Sequence, residues 1–554
     1  MPPRVYTIAF IAFAAGFCAL AATHFPLTFT DVAPKAGIHA IMRCGGPEKR
    51  WIPEANGSGA AWLDYDNDGF LDLLIVNGGT MEQLRKALAD ETLPAAPGGV
   101  YLYHNLRNGR FEDVTAHAGL ANPYWGTGAN AADYNGDGFT DILITTIGRD
   151  LLYKNNGDGT FTDVSRPARL RDSVAWHTGS AFGDFDGDGR LDLFITGYVD
   201  LRSMSWNEPA PVCDYYGQRV FCGPIGLKGE HSVLYHNNGD GTFSDISKAS
   251  GIAAAAPAHG FTPVAADFNS DGKLDIFVAN DSDPNYLFLN KGNGTFEEQA
   301  LEHGLAVNAD GRTQSNMGVA IGSYGAGAQL DVLTTVFNKD YFPLFRLGKS
   351  GTFEEISSST GLVLATNRYL GWACGLADFE NSGARDFWTA NGHVYPTDKD
   401  YFEPMIIFRS AGLKSITAFS YPERPGNSYR GGAAGDFDND GRIDLVILPV
   451  AGAPLLLHNE TANTNNWIGF ALNGAKSNRD AIGTMVTVEA CGRTQSDAVY
   501  SGGSYLSRKD PRVHFGLGAC SKVDRVTIAW PDGRKQQLSA MPANRYVNVN
   551  ETRP

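Results

Sequence analysis

One acidic motif recurs along the chain, and it constrains the fold more than any other feature. The motif reads D-x-[DN]-x-D-G-x-x-D, and a short apolar run follows each copy. Near-complete copies occupy residues 64–72, 133–141, 184–192, 267–275 and 436–444. Two further copies are eroded: residues 323–331 keep only the last Asp, and residues 378–386 have Ser382 at the fifth position. Seven copies of one local pattern indicate a repeat architecture rather than several unrelated domains.

A second pattern lies between the acidic motifs. LYKNNGDGTFTDVS begins at Leu152 and LYHNNGDGTFSDIS begins at Leu234, and three looser versions occur elsewhere. A strand, an Asn/Gly/Asp turn and a second strand are typical of a β-hairpin. A small-residue apolar stretch precedes each acidic motif, so each repeat predicts four short strands. Four-stranded repeats predict the blades of a β-propeller.

The two ends of the repeat region indicate how the ring closes. The seventh repeat ends at residues 455–460 without its last strand, and the missing pattern occurs near the N-terminus as LTFTDVAPKAGI, residues 27–38. We therefore expect an all-β, seven-bladed propeller over residues 27–462 that leaves no open edge. Residues 465–552 contain alternating strands, which predict a β-sandwich-like domain.

Strand parity predicts which loops share a face of the propeller. Neighbouring strands run antiparallel, so the acidic loops and the hairpin turns share one face. The link between the second and third strands is long in blades one, three and six, and these inserts are expected on the opposite face. The inserts are either variable surface loops or a binding face.

The acidic loops match the needs of Ca²⁺, which takes about six to eight oxygen ligands. Carboxylates at positions 1, 3 and 5, a carbonyl at position 7 and Asp at position 9 predict a cage, whereas flanking helices and a Glu at position 12, as in an EF-hand, are not evident. Turn formation alone is the alternative, and five near-complete copies argue against it. The predicted ligands are Asp64, Asp66, Asp68, Phe70 and Asp72; Asp133, Asn135, Asp137, Phe139 and Asp141; Asp184, Asp186, Asp188, Arg190 and Asp192; Asp267, Asn269, Asp271, Lys273 and Asp275; and Asp436, Asp438, Asp440, Arg442 and Asp444.

We therefore expect about five Ca²⁺ ions per chain. The eroded copy at 323–331 is expected to bind none, and the copy at 378–386, which has Glu380, is left open. The formal net charge of −16 agrees with cation binding, because five divalent ions would offset more than half of it. The same charge argues against nucleic acid and anionic membrane surfaces as partners.

The N-terminus predicts export. Arg4, an apolar stretch over residues 5–22 and the small-residue site Ala19-Leu20-Ala21 are typical of a secretory signal peptide, here residues 1–22. A retained single-span anchor is the alternative; lipid attachment at Cys18 is disfavoured because bulky Phe17 precedes it. No other run is long and apolar enough to span a bilayer. We expect a secreted, periplasmic or cell-surface protein. Its expected disulfides are Cys213–Cys222, Cys491–Cys520 and, by elimination, Cys44–Cys374.

These motifs also carry a resemblance to known proteins. The acidic loops and GTFxD hairpins resemble the FG-GAP or VCBS repeats of integrin-α-type propellers. SNRDAIGT (residues 477–484), SGGSYLSRKDPRVHFGLG (residues 501–518) and WPDG (residues 530–533) are similar to the ASPIC/UnbV domain. That order of parts resembles the cartilage acidic protein family, which is widespread in bacteria, and we take the chain for a bacterial member. The resemblance implies a seven-bladed, Ca²⁺-binding, exported protein and implies little about activity.

Two functions follow from these expectations. The first is an extracellular binding or adhesion module whose insert face recognises a protein or a glycan. Its expected anchors are Tyr198, Trp206, Tyr215, Tyr216, His393, Tyr395 and Tyr401. The alternative is a Ca²⁺-braced polysaccharide lyase or hydrolase, so catalysis is left open.

Four histidines lie near strand ends: His177, His231, His259 and His393. His393 is the most suggestive, although a structural role is favoured, and no G-x-S-x-G or H-E-x-x-H motif accompanies them. Arg479 and Asp480 form either a polar site or a structural ion pair. A redox propeller would need haem or flavin motifs, which the sequence lacks.

Overall fold

The computed structural model describes residues 26–89, 99–171, 173–206, 210–410, 416–422 and 426–552. The predicted signal peptide and Cys18 lie outside these residues. Five short helices occur: α1 (Ala33–Ala36), α2 (Pro53–Asn56), α3 (Met81–Ala89), α4 (Ser357–Thr360) and α5 (Leu362–Thr366). Two 3-10 turns cover Leu201–Ser203 and Ile252–Ala254. Across the described ranges, none of the helices has the length and apolarity that a membrane span requires.

Strands dominate the chain, and most of them form antiparallel four-stranded blades. The first strand is β1 (Phe29–Asp31). Blades 1 to 3 contain β2 (Ala60–Leu63), β3 (Asp72–Val76), β4 (Val100–Asn105) and β5 (Phe111–Asp113); β6 (Trp125–Ala132), β7 (Asp141–Gly148), β8 (Leu151–Asn155) and β9 (Phe161–Asp163); and β10 (Ala175–Gly183), β11 (Asp192–Gly197), β14 (Val233–Asn237) and β15 (Phe243–Asp245), with β12 (Val212–Tyr215) and β13 (Gln218–Phe221) forming a hairpin between β11 and β14.

Blades 4 to 7 continue the same order from inner to outer strand. They contain β16 (Gly260–Ala266), β17 (Asp275–Asn280), β18 (Tyr286–Asn290) and β19 (Phe296–Glu298); β20 (Asn316–Gly322), β21 (Asp331–Val336), β22 (Leu344–Leu347) and β23 (Phe353–Glu355); β24 (Gly371–Ala377), β25 (Asp386–Asn391), β26 (Met405–Ser410) and β27 (Ile416–Tyr421); and β28 (Tyr429–Gly435), β29 (Asp444–Pro449) and β30 (Leu455–Asn459).

The N-terminal strand closes the ring, as the sequence predicts. β1 pairs antiparallel with β30, with Phe29 opposite Asn459 and Asp31 opposite Leu457. The resulting sheet has the order β1-β30-β29-β28, so β1 is the outer strand of blade 7. The two ends of the propeller are thereby joined within one blade, and blade 7 has no unpaired outer position. The fold is a seven-bladed propeller with FG-GAP-type repeats.

The three long inserts share one face. Each insert joins the second strand of its blade to the third: β3 to β4, β11 to β14 and β25 to β26. Each acidic loop joins the first strand to the second, so antiparallel pairing within the blades puts the two kinds of loop on opposite faces. We call these the metal face and the insert face.

The C-terminal region forms two larger sheets that share a core, and β36 and β39 pair in a third, two-stranded sheet. Its strands are β31 (Asn466–Asn473), β32 (Met485–Ala490), β33 (Arg493–Ala498), β34 (Ser501–Gly502), β35 (Val513–Gly518), β36 (Lys522–Val523), β37 (Arg525–Ala529), β38 (Lys535–Leu538), β39 (Met541–Pro542) and β40 (Tyr546–Asn550). One sheet has the order β35-β31-β40 and the other β33-β32-β37-β38. Phe470, Val486 and Ile528 lie between them in one hydrophobic cluster that continues into blades 2 to 4. The arrangement is the expected β-sandwich-like domain.

A segment of this domain, residues 501–510, runs through the centre of the propeller; we call it the hub segment. Ser501 and Gly502 pair with β16 of blade 4. Ser504 exchanges two backbone hydrogen bonds of 2.7 Å with Val319 of blade 5. The approach is close enough to require glycine at position 59, because a Cβ there would lie 1.6 Å from the Leu506 carbonyl oxygen.

The remaining blades also contact the hub segment. The contacts are Ala60 of blade 1 with the Arg508 N–H, Ala129 of blade 2 with the Leu506 carbonyl, Phe182 of blade 3 with the Ser501 hydroxyl, Trp372 of blade 6 with the Tyr505 ring, and Gly432 of blade 7 with the Ser504 hydroxyl. All seven blades therefore meet one strand-like segment. The C-terminal domain fills the channel that a propeller ring encloses.

The same domain covers part of the metal face. The Asp480 carboxylate accepts the Asp133 N–H of the second acidic loop. It also lies 3.6 Å from Arg508, with which it forms a structural ion pair. The Tyr546 hydroxyl donates to the Asp436 carboxylate at 2.8 Å. Arg512 donates to the Asp436 carbonyl at 2.8 Å. All of these contacts lie on the metal face.

The cysteines follow two of the three expectations. Cys213 pairs with Cys222 in the blade-3 insert. Cys491 pairs with Cys520 in the C-terminal domain. The expected Cys44–Cys374 bond is wrong, because both are buried free thiols. Cys44 packs beside the Pro53 carbonyl, whereas Cys374 lies in β24 within a different hydrophobic cluster.

Candidate metal centres

The first acidic loop shows how the sequence builds the site. β2 ends at Leu63 and β3 begins at Asp72, so residues 64–71 reverse the chain. The Asp64 carboxylate accepts the N–H of Asp68 at 3.0 Å and the N–H of Gly69 at 2.9 Å. Gly69 has φ +86°, in the left-handed region that favours glycine. The loop therefore curls around the first carboxylate and holds it in place.

The ninth-position aspartate closes the loop from the start of the next strand. Asp72 accepts the Tyr65 N–H at 3.2 Å and the Asn105 N–H at 2.8 Å. The same two bonds recur in the other intact loops, at Asp141, Asp192, Asp275 and Asp444. These closing aspartates are at most 2% exposed. The carboxylate is thus held by one N–H of its own loop and one N–H of the third strand, and it is shielded from water.

The carboxylates of one loop converge. The oxygens of Asp64, Asp66 and Asp72 lie within 4.8 Å of one another, and so do those of Asp436, Asp438 and Asp444. Predicted ligands of these two loops thus share one small volume. At the seventh position, the N–H groups of Phe70, Phe139, Arg190, Lys273 and Arg442 donate to the fifth-position carboxylate. The carbonyls of these five residues stay predicted ligands.

Burial makes the convergent negative charge costly. It raises the pKa of Asp64 and Asp184 to about 6 and that of Asp141 and Asp192 to about 8, with nearby carboxylates raising each pKa further. The pKa of Asp275 and of Asp436 rises to about 7 for the same main reason. A carboxyl group with a raised pKa is destabilised in its charged form. A positive charge beside these carboxylates would offset that cost.

Side chains of the protein supply some of that charge at the rim. The fifth-position carboxylate meets a cation in every intact loop: Asp68 with Arg107, Asp137 with Lys154, Asp188 with Arg190, Asp271 with Lys273 and Asp440 with Arg442. These five cations are 34–56% exposed at their side chains. Such exposed pairs are worth about 0–1 kcal/mol, so they leave the buried first and ninth carboxylates uncompensated.

The eroded loops carry an internal cation instead. In blade 5, the Arg346 guanidinium forms two bonds of 2.7 Å with the closing Asp331, and Arg346 is 20% exposed. In blade 6, Arg409 pairs with Glu380, and its Nε lies 3.7 Å from the closing Asp386. Both arginines occupy the same position of the third strand. Where the loop has lost carboxylates, the fold therefore places a guanidinium beside the closing aspartate.

Sequence reasoning missed this third-strand position. It holds His104 in blade 1, Lys154 in blade 2, His236 in blade 3, Leu289 in blade 4 and His458 in blade 7. The structure brings it beside the closing aspartate of its own blade, which lies 13 to 44 residues earlier in the chain. In the sequence, this position is the third residue of the repeated LYHN and LYKN patterns, and its change from blade to blade was the signal that could have identified it.

The asparagine that follows was missed as well. The Asn105 side chain donates to the Leu71 carbonyl of its own loop at 2.9 Å and to the Phe437 carbonyl of the blade-7 loop at 2.8 Å. The equivalent bonds to the preceding blade run from Asn155 to Tyr65, Asn237 to Tyr134, Asn290 to Phe185 and Asn459 to Phe379. Each asparagine therefore ties a metal loop to its neighbour around the ring.

The donor set fits calcium. The converging groups are hard carboxylate and amide oxygens, which Ca²⁺ prefers. The arginines of blades 5 and 6 show independently that a positive charge belongs beside the closing aspartate. Asp64, Asp66, Asp68 and Asp72 would hold the ion in blade 1, and the equivalent residues would do so in blades 2, 3, 4 and 7.

The insert face carries a different kind of site. A cleft of about 350 Å³ lies between residues 48–50, 210–221 and 395–397. Thr397 donates to the Gln218 side chain at 3.0 Å, and the Phe221 and Tyr395 rings lie 5.1 Å apart, so the blade-3 and blade-6 inserts support each other. Val212 lines this cleft and is 50% exposed, and Tyr216, at the turn of the same hairpin, is 74% exposed.

Several expected anchors of this face are structural. Tyr198 is buried and donates to Asp281 at 2.8 Å. Tyr395 is 8% exposed. Tyr215 donates to the Asn338 side chain at 2.8 Å, and Trp206 packs against the hydrophobic core. Tyr216 is the aromatic residue among them that a partner can reach.

The candidate catalytic histidines are equally structural. His393 is fully buried among Tyr215, Phe337 and Tyr395, and burial lowers its pKa to about 4. His177 is buried and bonded to Asp150. His259 pairs with Asp283 at 2.8 Å. Three of the four candidates are therefore held inside the fold.

Comparison with known protein families agrees with this architecture. The profile described as FG-GAP-like repeat matches residues 88–144, 133–195, 225–278 and 267–322. The profile described as ASPIC and UnbV matches residues 474–554. The chain belongs to the proteins that combine FG-GAP repeats with an ASPIC/UnbV domain.

Within that class it is similar to cartilage acidic protein 1. It is 24% identical to the Mus musculus protein over 518 residues, which cover 88% of this chain and 72% of the relative. The Xenopus tropicalis and Homo sapiens proteins are also 24% identical, over 87% and 74% of this chain. The chain spans only 62% and 60% of the length of those two relatives.

Solved structures match this chain only at low similarity. An Agrocybe aegerita lectin is 16% identical with a TM-score of 0.37, and the match covers 66% of this chain and 80% of the lectin. YCF48 bound to D1 peptide is 10% identical with a TM-score of 0.37, and the match covers 77% of this chain and 96% of that one. Neither supports a functional inference.

Proposed function

We propose that this chain is an exported, calcium-binding propeller protein that binds an extracellular protein or glycan through its insert face. The replacement of loop carboxylates by Arg346 and Arg409 in blades 5 and 6 is the observation that carries the calcium assignment. The five intact loops have the same closing aspartate, but the third-strand position beside it holds no arginine. A divalent cation taken from solution would fill that role in each of them.

Export is supported by the disulfides. Cys213–Cys222 and Cys491–Cys520 would persist in an oxidising compartment. Millimolar calcium outside the cell would also keep extracellular sites filled, since extracellular calcium modules bind with Kd values of about 10⁻⁴–10⁻³ M. The predicted signal peptide at residues 1–22 is consistent with this location.

The assignment of binding to the insert face is supported by which parts of the propeller are covered and which are exposed. The C-terminal domain lies on the metal face, and its hub segment fills the channel. The insert face has a cleft lined in part by the exposed Val212, and the exposed Tyr216 lies in the same hairpin. Contiguous exposed apolar surface with a polar rim is typical of interaction sites. The Cys213–Cys222 bond keeps the insert hairpin in one shape, which lowers the entropic cost of binding.

An array of glycans and extracellular proteins, probed in calcium, tests the proposal. We expect the wild-type chain to bind a partner, and the variant Val212→Ser/Tyr216→Ala to bind at least tenfold more weakly with an unchanged melting temperature. Leu106→Ser is the matched control, because Leu106 is 40% exposed on a hairpin turn of the metal face. Loss of binding in the control but not in the insert variant would contradict the proposal. Glycan cleavage on the array would favour the lyase or hydrolase alternative.

A further inference from the structure

The third-strand position beside each acidic loop divides the intact blades into two groups. Blades 1, 3 and 7 have histidine there, whereas blades 2 and 4 have Lys154 and Leu289. The histidines are not spread along the surface at random. Each histidine faces carboxylates of the acidic loop in its own blade.

The histidine geometry is nearly the same in blades 1 and 3. In blade 1, the His104 Nδ1 atom lies 3.2 Å from Asp72 and 3.5 Å from Asp66. In blade 3, the His236 Nδ1 atom lies 3.2 Å from Asp192 and 3.3 Å from Asp186. The imidazole thus meets the third- and ninth-position carboxylates of its own loop in both blades.

In blade 7, the other ring nitrogen of the histidine faces the carboxylates of the acidic loop. The His458 Nε2 atom lies 3.1 Å from Asp438 and 3.9 Å from Asp440. One ligand atom of the histidine and one from each of the third- and fifth-position aspartates lie within 4.8 Å of one another in blades 1, 3 and 7. Three separate blades therefore assemble one nitrogen and at least two carboxylate oxygens around a common point.

A second observation shows that this point is a place for a cation. In blades 5 and 6 the same third-strand position is arginine, whose guanidinium pairs with the acidic residues of the loop. The fold uses arginine where it needs a permanent positive charge. Histidine instead offers a ring nitrogen of the kind that binds first-row metal ions. The His104 Nδ1 atom is shielded from solvent and, within the described residues, makes no hydrogen bond.

The chemistry of a nitrogen donor narrows the ion. Ca²⁺ and Mg²⁺ take oxygen ligands, whereas imidazole suits Zn²⁺ and its first-row neighbours. One imidazole with two or three carboxylates is an adequate donor set for Zn²⁺, which takes His nitrogen at about 2.0–2.1 Å and Asp oxygen at about 2.0–2.2 Å. In a tetrahedral site with bonds of that length, neighbouring ligand atoms lie about 3.3–3.5 Å apart. The N···O distances of 3.1–3.5 Å between these histidines and aspartates are close to that separation.

We propose that blades 1, 3 and 7 form a second class of metal centre that takes Zn²⁺ through His104, His236 and His458 together with loop aspartates, while blades 2 and 4 accept Ca²⁺ alone. The inference rests on the proposed cation function of the loops. It adds that the chain sorts two kinds of divalent ion along one ring. The residue before the repeated asparagine determines which kind each blade accepts.

Equilibrium dialysis with elemental analysis tests this on the full, untagged chain. The protein is dialysed against micromolar Zn²⁺ in the presence of millimolar Ca²⁺, and both metals are counted per chain. We expect about three Zn²⁺ for the wild type. The variant His104→Leu/His236→Leu/His458→Leu is the matched comparison, since leucine is the natural residue of blade 4. It should bind no Zn²⁺ and, in zinc-free buffer, as much Ca²⁺ as the wild type.

A gain-of-site variant keeps the test decisive if the triple variant folds poorly. Leu289→His should add about one Zn²⁺ to blade 4 without removing its Ca²⁺ capacity in zinc-free buffer. Wild-type protein that binds Ca²⁺ but no Zn²⁺ would overturn the inference and assign the histidines to ion pairing. Zinc binding that survives the triple change would overturn it too. A chain that binds neither metal would instead refute the proposed calcium function.

Discussion

Blades 3 and 5 have the same four-stranded plan and the same buried closing aspartate, yet they neutralise it in different ways. Asp331 of blade 5 is paired with Arg346 through two bonds of 2.7 Å. Asp192 of blade 3 has His236 at 3.2 Å and the carboxylates of Asp186 and Asp188 around it. One blade carries a positive charge beside its closing aspartate in the chain, and the other gathers carboxylates that the proposed cation would balance.

If the intact loops bind calcium as proposed, metal dependence is a property of the individual loop and not of the fold. The closing aspartate is present in all seven copies because it accepts backbone N–H groups that shape the turn. In blade 5 the Tyr324 N–H donates to Asp331 at 2.9 Å, as the Tyr65 N–H donates to Asp72 at 3.2 Å in blade 1. A buried negative charge comes with that role. Arginine and a metal ion are two ways of offsetting it.

The largest expected effect is that of metal removal. Chelation should leave the five intact blades with uncompensated carboxylates and leave blades 5 and 6 unaffected. A ligand at a concentration of about 100 times its Kd adds about 2.7 kcal/mol per site to the free energy of unfolding. Several such sites together therefore determine whether the propeller stays folded. We expect a large fall in melting temperature with EDTA and its recovery with excess Ca²⁺. An unchanged melting temperature in EDTA, measured by calorimetry, would contradict the comparison.

Removing the internal cation of blade 5 should have the next largest effect. Arg346→Leu leaves Asp331, which is fully buried, without its partner. Breaking a buried ion pair costs about 3–5 kcal/mol, and we expect about 3 kcal/mol here. The free energy of unfolding should fall by the same amount in Ca²⁺ and in EDTA.

The double variant Arg346→Leu/Asp331→Asn is the control for that change. It removes both charges, and the side-chain amide oxygen that it introduces at position 331 can still accept the Tyr324 N–H. We expect it to be much closer to the wild type in denaturant unfolding. A single variant as stable as the double one would show that Arg346 does not neutralise the loop.

How stability changes with pH separates the two kinds of blade further. Burial raises the pKa of Asp141 and Asp192 to about 8, against about 3.9 in an unfolded chain. Between these values the folded chain holds protons that the unfolded chain releases, so stability is lost as pH rises. In EDTA we expect the melting temperature to fall from about pH 5.5 to about pH 8. In saturating Ca²⁺ this fall should disappear; a parallel fall in both buffers would assign it to other groups.

The repeat pattern predicted most of the fold. Seven copies of one motif defined the blades, and the displaced strand at residues 27–38 predicted the closure that β1 and β30 form. Both are local patterns with a fixed period. The hub segment was not predicted, because its pairing with β16 joins residues more than 230 positions apart and leaves no periodic signal.

The site was predicted only along the loop. The positions of Asp64 and Asp72 follow from the spacing of one motif, whereas His104 and Arg346 reach the loop from the third strand across the blade. Single-sequence patterns do not show that contact until the blade is built. The same limit explains the Cys44–Cys374 error, because counting cysteines places neither thiol in space.

The smallest expected effect concerns the asparagine ties between blades. Asn155→Ala removes bonds of 2.8 Å to the Tyr65 carbonyl and 3.0 Å to the Thr140 carbonyl. We expect a loss of about 2 kcal/mol in the free energy of unfolding, because buried carbonyls lose their donors. The neighbouring Asn156→Ala, on the exposed hairpin turn, should change it by less than about 0.5 kcal/mol. Equal effects would mean that the ties do not join the metal loops.

The number of calcium ions bound per chain tests the central claim most directly. The chain should be dialysed to equilibrium in zinc-free buffer with excess Ca²⁺, and bound calcium should be determined by elemental analysis. We predict about five ions, one for each intact loop, and about four for the variant Asp133→Asn/Asp141→Asn, which disables the blade-2 loop. No bound calcium would contradict the account, and so would about seven ions, since blades 5 and 6 would then bind metal despite Arg346 and Arg409.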